Sequence, residues 1–346
     1  EAARMGATEV CLQGGIHPDF DGDYYIEVTR AVRQAVPDIH VHGFTALEVT
    51  VGARRLDEPL ADYLRRLMDA GYQTGNGVLL AGGAAGEFAT LRTEERKRVA
   101  EVVVEEAAGR IAVIVGAQDT STMRVLELAR FAERIGADGI QVGPPYYYPP
   151  SSDDIFALFQ AISDEAAIPM VVYNTWWTGT NADLGYDRIA KLLDLANVGA
   201  LKWSSPDAFV FEGVLDSFSD KIAIIDNQLC EILSHMMGAV GFVSHPPLAW
   251  PEYGLRLWSS LEESRYADAL EMLMRFRNPY YRLFFQAYEY SGSEGHFDKA
   301  ILELVGEHAG LPRPPGRPLP PKLVEATRQM LLDAGVPGVQ PAGSAS

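Results

Sequence analysis

The segment that decides the fold begins with PMVVYN (169–174) and ends with VGALKWS (198–204). Both ends are short runs of apolar and β-branched residues, which are typical of strands buried on both faces of a parallel sheet. A helical pattern fills the residues between them. The segment therefore predicts a βα unit and the strand that follows it, with Tyr173 near the end of one strand and Lys202 near the end of the next.

The same pattern repeats on both sides of this segment. The further runs are GVLLAGG (77–83), IAVIVGA (111–117), GIQVGPP (139–145), IAIIDN (222–227) and VGFVSH (240–245). Successive runs begin roughly 20 to 35 residues apart, which is the length of a βα unit. Seven such strands in order predict an α/β fold, a (β/α)₈ TIM barrel. We expect the eighth strand upstream, in HVHGFTALEV (40–49), before a helix over 56–71.

The rest of the chain predicts additions to the barrel. Residues 1–38 form an N-terminal appendage, an extra βα unit with a strand over 10–15 and a helix over 23–35. The barrel extends over 39–250. Residues 251–336 form a C-terminal helical region. Its predicted helices cover 251–276, 279–290 and 321–335. The small polar tail, 337–346, is predicted to be disordered.

Composition excludes several classes of function. The net charge of −18 argues against nucleic acid, since no basic field would neutralise phosphates. No apolar run of about 20 residues indicates a membrane span, and the stretch from Glu1 has no signal-peptide pattern. Two distant cysteines, Cys11 and Cys230, make neither a disulfide framework nor a zinc site. A reducing, cytoplasmic location is the simplest expectation.

Lys202 is the main candidate for chemistry, because barrel active sites lie at the carboxyl ends of strands. It follows the apolar residues 198–201 and precedes Trp203, so its amine should be poorly hydrated. Desolvation lowers the pKa of a lysine and frees the neutral amine that attacks a ketone. Tyr173 ends the preceding strand and could shuttle protons in the same pocket. The alternative is a strand-end lysine that reaches solvent or pairs with a carboxylate.

Two loops add further candidates. The glycine-rich GGAAGE (82–87) could hold a carboxylate on backbone N–H groups, although any tight βα turn favours glycine. In the loop at 143–151, Tyr146, Tyr147 and Tyr148 could serve the site or could simply pack at a rim or subunit contact.

These pieces together resemble the dihydrodipicolinate synthase and N-acetylneuraminate lyase family over roughly residues 55–335. Four landmarks occur in the family's order: GGAAGEFATLRTEER (82–96), GPPYYYPPS (143–151), VVYNTWWTG (171–179) and GALKWSS (199–205). The resemblance implies an imine between Lys202 and a pyruvate-type 2-keto acid, with no metal and no organic cofactor. It also implies a homo-oligomer, a dimer or tetramer.

The resemblance assigns roles to the remaining candidates. Tyr173 would relay protons, and Tyr147 would be the loop tyrosine that reaches a neighbouring subunit's site in some members. Ala84 and Ala85 would bind the substrate carboxylate through backbone N–H groups. Val243 would line the imine pocket.

Departures from the family pattern narrow the activity. The paired threonines of the family's loop are Ala84 and Ala85 here, so no hydroxyl can relay protons from that loop. After Asn174 the chain continues with TWWTG (175–179) instead of the arginine that grips a second carboxylate. An aromatic wall suits a hydrophobic acceptor. We therefore expect a retro-aldolase, hydratase-aldolase or 2-keto-3-deoxy-acid dehydratase rather than a true dihydrodipicolinate synthase.

The N-terminal stretch 6–53 resembles a different protein, an internal piece of the radical-SAM subunit of the deazaflavin (F420) precursor synthase. The three-cysteine cluster motif of those enzymes is absent, so radical chemistry is not expected. Three alternatives to an active lyase stay open. They are a catalytically impaired chimera, a non-catalytic sugar-acid binding protein, and a metal-dependent aldolase with His17, His40 and His42 as ligands.

Overall fold

The structure is a computed structural model that describes residues 9–11, 21–36, 40–42, 55–56, 58, 66, 77–109, 111–178 and 183–339. The chain divides into two compact units. The first contains Glu1–Leu79 and Val104–Val113, and the second contains Leu80–Val103 and Ile114–Ser346.

In the first unit, two short strands flank one helix. Strand β1 (Glu9–Cys11) pairs in parallel with β2 (His40–His42), and helix α1 (Gly22–Ala35) lies between them in the chain. The helix begins where the Tyr24 amide donates to the Asp21 carboxylate at 3.2 Å, and it confirms the helix predicted over 23–35. Residues 43–49 lie outside the described residues, so a first barrel strand over 40–49 stays a prediction, as do the domain boundaries.

A parallel sheet of seven strands forms the main framework, and its strands follow one another in chain order. The strands are β3 (Val78–Ala81), β4 (Ala112–Gly116), β5 (Gly139–Val142), β6 (Met170–Tyr173), β7 (Val198–Trp203), β8 (Ala223–Asp226) and β9 (Gly241–Phe242). Each lies within an apolar run identified in the sequence. The arrangement confirms the predicted TIM-barrel fold class.

Helices follow the strands as a βα repeat requires. They are α2 (Thr93–Ala107), α3 (Thr122–Arg134), α4 (Ser152–Glu165), α5 (Gly185–Leu192), α6 (Ala208–Phe218) and α7 (Glu231–Met236). The C-terminal region adds α8 (Pro251–Glu262), α9 (Tyr266–Met272), a π-helical turn (Leu273–Arg277), α10 (Asn278–Ser291), α11 (Gly295–Leu304) and α12 (Pro321–Ala334). Among the described helices, none combines the length and apolar character that a bilayer span needs.

The prediction of a single helix over 251–276 was wrong. The chain leaves the helical path after Glu262, because Ser264 adopts a left-handed conformation with φ 55°, and α9 then starts a new helix. Helix α11 was not expected at all. The expected helices over 279–290 and 321–335 correspond to α10 and α12.

Two hydrophobic cores support this framework. The first packs the sheet against α3 to α6 and contains Trp203, whose side chain is fully buried and donates from Nε1 to the carbonyl of Phe211 at 3.2 Å. The second joins α8 to α12 and is rich in aromatic rings in edge-to-face contact, such as Phe276, Tyr280 and Phe297. The second core fixes the position of α11.

We predict that Trp203→Ala lowers the free energy of unfolding by about 3–5 kcal/mol, because it leaves a cavity and removes the bond to Phe211. Phe209→Ala is the matched control, since Phe209 is 87% exposed, and its effect should stay within about 0.5 kcal/mol. Urea denaturation followed by circular dichroism measures both. Equal midpoints for the two variants would contradict the packing described here.

Candidate active site

The register of β6 and β7 brings Tyr173 and Lys202 together. Tyr173 lies directly opposite Lys202 in the parallel pairing, so both side chains project from the same face of the sheet at its carboxyl edge. The Lys202 ammonium nitrogen lies 4.0 Å from the centre of the Tyr173 ring. The structure therefore brings these two predicted residues together at one edge of the sheet.

The Lys202 side chain is buried and without a carboxylate partner. The residue is 7% exposed, and among the described residues no carboxylate lies within 4 Å of its nitrogen. Burial lowers the pKa of Lys202 to about 8, while the carboxylate of Glu294 opposes that shift. Within the part of the chain that the structure describes, the lysine therefore neither reaches solvent nor forms an ion pair, which argues against the alternative of a solvated or paired strand-end lysine.

Tyr173 is a protonated phenol at neutral pH. Burial, and then the negative charge of Glu294, raise the pKa of Tyr173 far above its ordinary value, and a side-chain hydrogen bond with Asn227 opposes the shift. A phenol in this state can donate a hydrogen bond, but it rarely ionises to the phenolate.

The side-chain amide of Asn174 and the indole rings of two tryptophans form the edge of the pocket. Asn174 donates to Asp183 at 2.7 Å and to the Ser204 carbonyl at 2.8 Å, which ties the end of β6 to the end of β7. The Trp177 ring packs edge-to-face on Tyr173 at 5.4 Å, and Trp176 packs on Trp177 at 5.6 Å. The predicted aromatic wall therefore stands beside Tyr173.

The glycine-rich turn follows β3. Ala84 is exposed and Ala85 is half-buried, and the Glu87 amide closes the turn on the Ala84 carbonyl at 3.0 Å. A 3-10 turn and two further residues separate this segment from α2, so the two alanines lie in a turn and not at a helix N-terminus. A Cβ on Gly116 would lie 2.2 Å from the Gly82 carbonyl oxygen, so β4 fixes the turn through backbone contact.

The two remaining predicted site residues, Val243 and Tyr147, lie in different surroundings. Val243 follows β9, and its amide donates to the Asp226 carbonyl at 2.8 Å at the carboxyl edge of the sheet. Tyr147 is 73% exposed, and its ring contacts Tyr148 at 4.8 Å. Within this chain the structure does not bring Tyr147 into the pocket of Lys202.

A second group of residues was not identified from the sequence as part of the site. His245 Nδ1 lies 3.0 Å from Asp298 Oδ2, and Tyr280 donates its hydroxyl to Asp298 Oδ1 at 3.1 Å. His245 Nε2 lies 4.0 Å from the Glu294 carboxylate. The sequence does contain a hint of this group: in SEGHFDK (293–299), Glu294 and Asp298 are four residues apart and would share one face of a helix. This segment does not follow one of the predicted strands, so it was not identified as part of the site.

Within the part of the chain that the structure describes, no group of three or more His, Cys, Asp or Glu side chains could hold a metal ion. His17 lies outside the described residues, and so do the side chains of His40 and His42. Cys230 is a half-buried free thiol. The metal alternative therefore gains no support from these residues.

Comparison with known proteins identifies the family. The model of the dihydrodipicolinate synthetase family matches residues 56–319. The 4-hydroxy-tetrahydrodipicolinate synthase of Methanopyrus kandleri is 30% identical over 284 residues, which cover 81% of this chain and 90% of the relative.

Solved structures agree with this match. The chloride-inhibited dihydrodipicolinate synthase of Acinetobacter baumannii, complexed with pyruvate, is 25% identical with a TM-score of 0.68 and covers 76% of this chain and 88% of its own. A monomeric dihydrodipicolinate synthase variant is 26% identical with the same TM-score and covers 76% and 87%. Since the family match spans most of the chain and the fold agrees, the chain belongs to the dihydrodipicolinate synthetase family and is a lyase of the lysine Schiff-base type.

Proposed function

We propose that the protein is a class I aldolase or lyase that binds a pyruvate-type 2-keto acid as an imine on Lys202. The observation that carries the proposal is the buried amine of Lys202, with a pKa of about 8, beside the ring of Tyr173. At pH 7 about one-tenth of such an amine is neutral, against about 0.03% for an unperturbed lysine. The gain in nucleophile is therefore on the order of 300-fold.

The chemistry follows from these two groups. The neutral Lys202 amine adds to the C2 carbonyl, and the carbinolamine loses water as Tyr173 relays a solvent proton to the leaving hydroxyl, so that Tyr173 ends the step as a phenol again. The resulting iminium withdraws electrons from C3, so it stabilises cleavage, addition or dehydration at that carbon. The lysine supplies this electron sink itself, so the proposed reaction needs no metal and no organic cofactor.

The turn after β3 would hold the substrate carboxylate. Ala84 and Ala85 offer backbone N–H groups, and their methyl groups cannot donate hydrogen bonds. The rigid contact between Gly116 and Gly82 supports this assignment, because a fixed turn presents its N–H groups in a constant geometry. Val243 would line the pocket from the end of β9.

The acceptor pocket favours a hydrophobic partner over a second carboxylate. Trp176 and Trp177 occupy the segment where the synthase carries its carboxylate-binding arginine. Arg188, the first arginine after Tyr173, donates to the Ser152 hydroxyl at 2.8 Å and to the Asp183 carbonyl, so its guanidinium is already engaged. We therefore propose a retro-aldolase, hydratase-aldolase or keto-deoxy-acid dehydratase, although the matched relatives carry the synthase name.

Assembly and location remain part of the proposal. An exposed Tyr147 fits a residue that completes a neighbouring subunit's site in a homodimer or homotetramer. One of the similar structures is a monomeric variant, so the oligomeric state of this protein has to be measured in solution. A cytoplasmic location and the origin of residues 6–53 in a deazaflavin precursor synthase also stay predictions.

We predict that borohydride reduction in the presence of pyruvate adds a stable 1-carboxyethyl group to the wild-type protein but not to Lys202→Ala. Lys322→Ala is the control, because Lys322 is exposed on α12 and should leave the adduct intact. Intact mass spectrometry and peptide mapping measure the outcome. No adduct on the wild type with any 2-keto acid would overturn the imine proposal, and it would favour the impaired chimera or the binding protein.

We predict that the rate of imine trapping rises with pH through an apparent pKa of about 8. The reacting form of Lys202 is the neutral amine, and burial lowers its pKa from 10.5 by favouring that form. The rate should therefore be low at pH 6 and level off near pH 9. Initial rates of trapping at saturating pyruvate give the profile, and a rise that continues to pH 10.5 would contradict a desolvated lysine.

We predict that the protein condenses pyruvate with an aromatic aldehyde at least about tenfold faster than with aspartate 4-semialdehyde, since the wall offers apolar contact and no free arginine. Product formation followed by liquid chromatography compares the two acceptors. Trp177→Ala should reduce the aromatic preference and leave pyruvate trapping unchanged. A faster reaction with the semialdehyde would instead identify a true synthase.

A further inference from the structure

The loop after β6 closes back on the strand that carries Lys202. Trp176, which opens the 3-10 turn Trp176–Thr178, donates from its indole Nε1 to the hydroxyl of Ser204 at 3.3 Å. The side chain of Asn174 donates to the carbonyl of the same serine at 2.8 Å. Ser204 is 2% exposed and directly follows β7. One buried serine just beyond the lysine strand therefore receives both bonds from the loop.

The bond to Trp176 completes a closed ring of contacts around the pocket. The Lys202 nitrogen lies 4.0 Å from the centre of the Tyr173 ring, and Trp177 meets Tyr173 edge to face with 5.4 Å between ring centres. Trp176 meets Trp177 at 5.6 Å with an interplanar angle of 84°. Ser204 then connects Trp176 back to the strand of Lys202. The two indoles are thus tied to the position where the imine would form.

The three aromatic residues in this ring of contacts differ in exposure. Tyr173 is 8% exposed, Trp176 is half-buried, and Trp177 is 38% exposed. Trp177 therefore offers a free aromatic surface one ring away from the Lys202 amine. Trp176 packs on the side of Trp177 that is joined to Ser204, so it supports the exposed indole.

The serine itself is held from the opposite side by β8. The amide of Ser205 donates to Gln228 Oε1 at 3.0 Å, and the carbonyl of Ser205 accepts from Gln228 Nε2 at 2.9 Å. On the other side of Ser204, the carbonyl of Trp203 accepts from the Asn227 amide at 2.8 Å. Because both neighbours of Ser204 are fixed through their backbones, its hydroxyl occupies a defined point to which an indole can be anchored.

An anchored indole binds a ligand better than a mobile one. A surface side chain that is free to rotate loses conformational entropy when a ligand orders it, and this loss lowers affinity. The bond from Trp176 to Ser204 restrains the supporting indole before any ligand arrives. The usual net contribution of one hydrogen bond corresponds to about a 2- to 12-fold change in a binding constant.

We propose that Ser204 is a positioning residue for acceptor specificity, which holds Trp176 so that Trp177 presents a preformed surface to an aryl aldehyde beside the imine on Lys202. The inference rests on the proposed aldolase or lyase function and names the residue that organises its acceptor pocket. An aryl group packed edge to face or offset on Trp177 gains the geometry that aromatic pairs prefer. A short aliphatic aldehyde has no ring to make this contact, so Ser204 acts on aryl acceptors alone.

The test compares benzaldehyde with propanal as acceptors at saturating pyruvate. Product formation followed by liquid chromatography gives kcat and KM for each aldehyde. Ser204→Ala removes the hydrogen-bond acceptor, and Trp176→Phe keeps an aromatic ring without the N–H. The double variant combines them. Ser217→Ala is the matched control, because Ser217 is half-buried on α6 and outside the ring of contacts. Borohydride trapping of pyruvate on every variant reports imine formation.

We expect Ser204→Ala to raise KM for benzaldehyde about 5- to 10-fold with little change in kcat, because the lost interaction is one of binding. KM for propanal and the trapping of pyruvate should stay within about twofold of the wild type. Trp176→Phe should show the same pattern. The double variant should show no larger shift than either single variant, because both changes remove the same hydrogen bond. Ser217→Ala should match the wild type.

Several results would overturn the inference and leave the imine function standing. One is an unchanged KM for benzaldehyde in a Ser204→Ala variant that still traps pyruvate. Others are equal shifts for both aldehydes, or shifts that multiply in the double variant, since either would make Ser204 a general structural residue. If Ser204→Ala does not trap pyruvate, Trp176→Phe decides, and an unchanged KM for benzaldehyde in that variant overturns the inference. Absence of trapping in the wild type would instead remove the imine function itself.

Discussion

The pairing of β6 with β7 is the constraint on which the site depends. It places the Lys202 ammonium 4.0 Å from the Tyr173 ring and deep enough that water cannot stabilise the charge. A cation over an aromatic face recovers part of the lost solvation, so the lysine is tolerated without a carboxylate partner. Had an acidic residue paired with Lys202, the charged form would have been favoured and the nucleophile lost.

The C-terminal helices extend this arrangement beyond the strands. Their aromatic core holds α10 and α11 together through edge-to-face contacts around Tyr280 and Phe297. That core carries the bonds from Tyr280 and His245 to Asp298. A helical region that the sequence presents as an addition to the barrel therefore places the carboxylates of Asp298 and Glu294 beside His245, which follows β9.

The sequence predicted the parts of this protein that have a local period. Apolar runs at regular spacing indicated the strands of the sheet, and the position of Lys202 at the end of one run indicated its burial. Tyr173 followed from the order of the strands. Glu294 and His245 could not be predicted in the same way, because they meet only when α11 folds back on the turn at Ala85.

The break at Ser264 was missed for a related reason. A left-handed serine leaves no mark in the hydrophobic pattern, so 251–276 read as one continuous helix. Helix α11 was missed because its first turn, around Gly295 and His296, contains residues of modest helix propensity, and tertiary packing stabilises it.

The close approach of Gly295 to Ala85 holds the start of α11 against the glycine-rich turn after β3. Since a side chain at Gly295 would meet both the Ala85 carbonyl oxygen and the Glu87 side chain, the turn where a carboxylate would bind and the start of α11 are packed directly against each other. The carboxylate and the C2 carbonyl are adjacent in every 2-keto acid, so a turn held in this way would fit the reacting end of the substrate whatever the substrate's length. The indole rings of Trp176 and Trp177 beside Tyr173 would then determine which substrates are accepted. Exchange of the wall could therefore change the range of accepted substrates while the reaction at C3 is preserved.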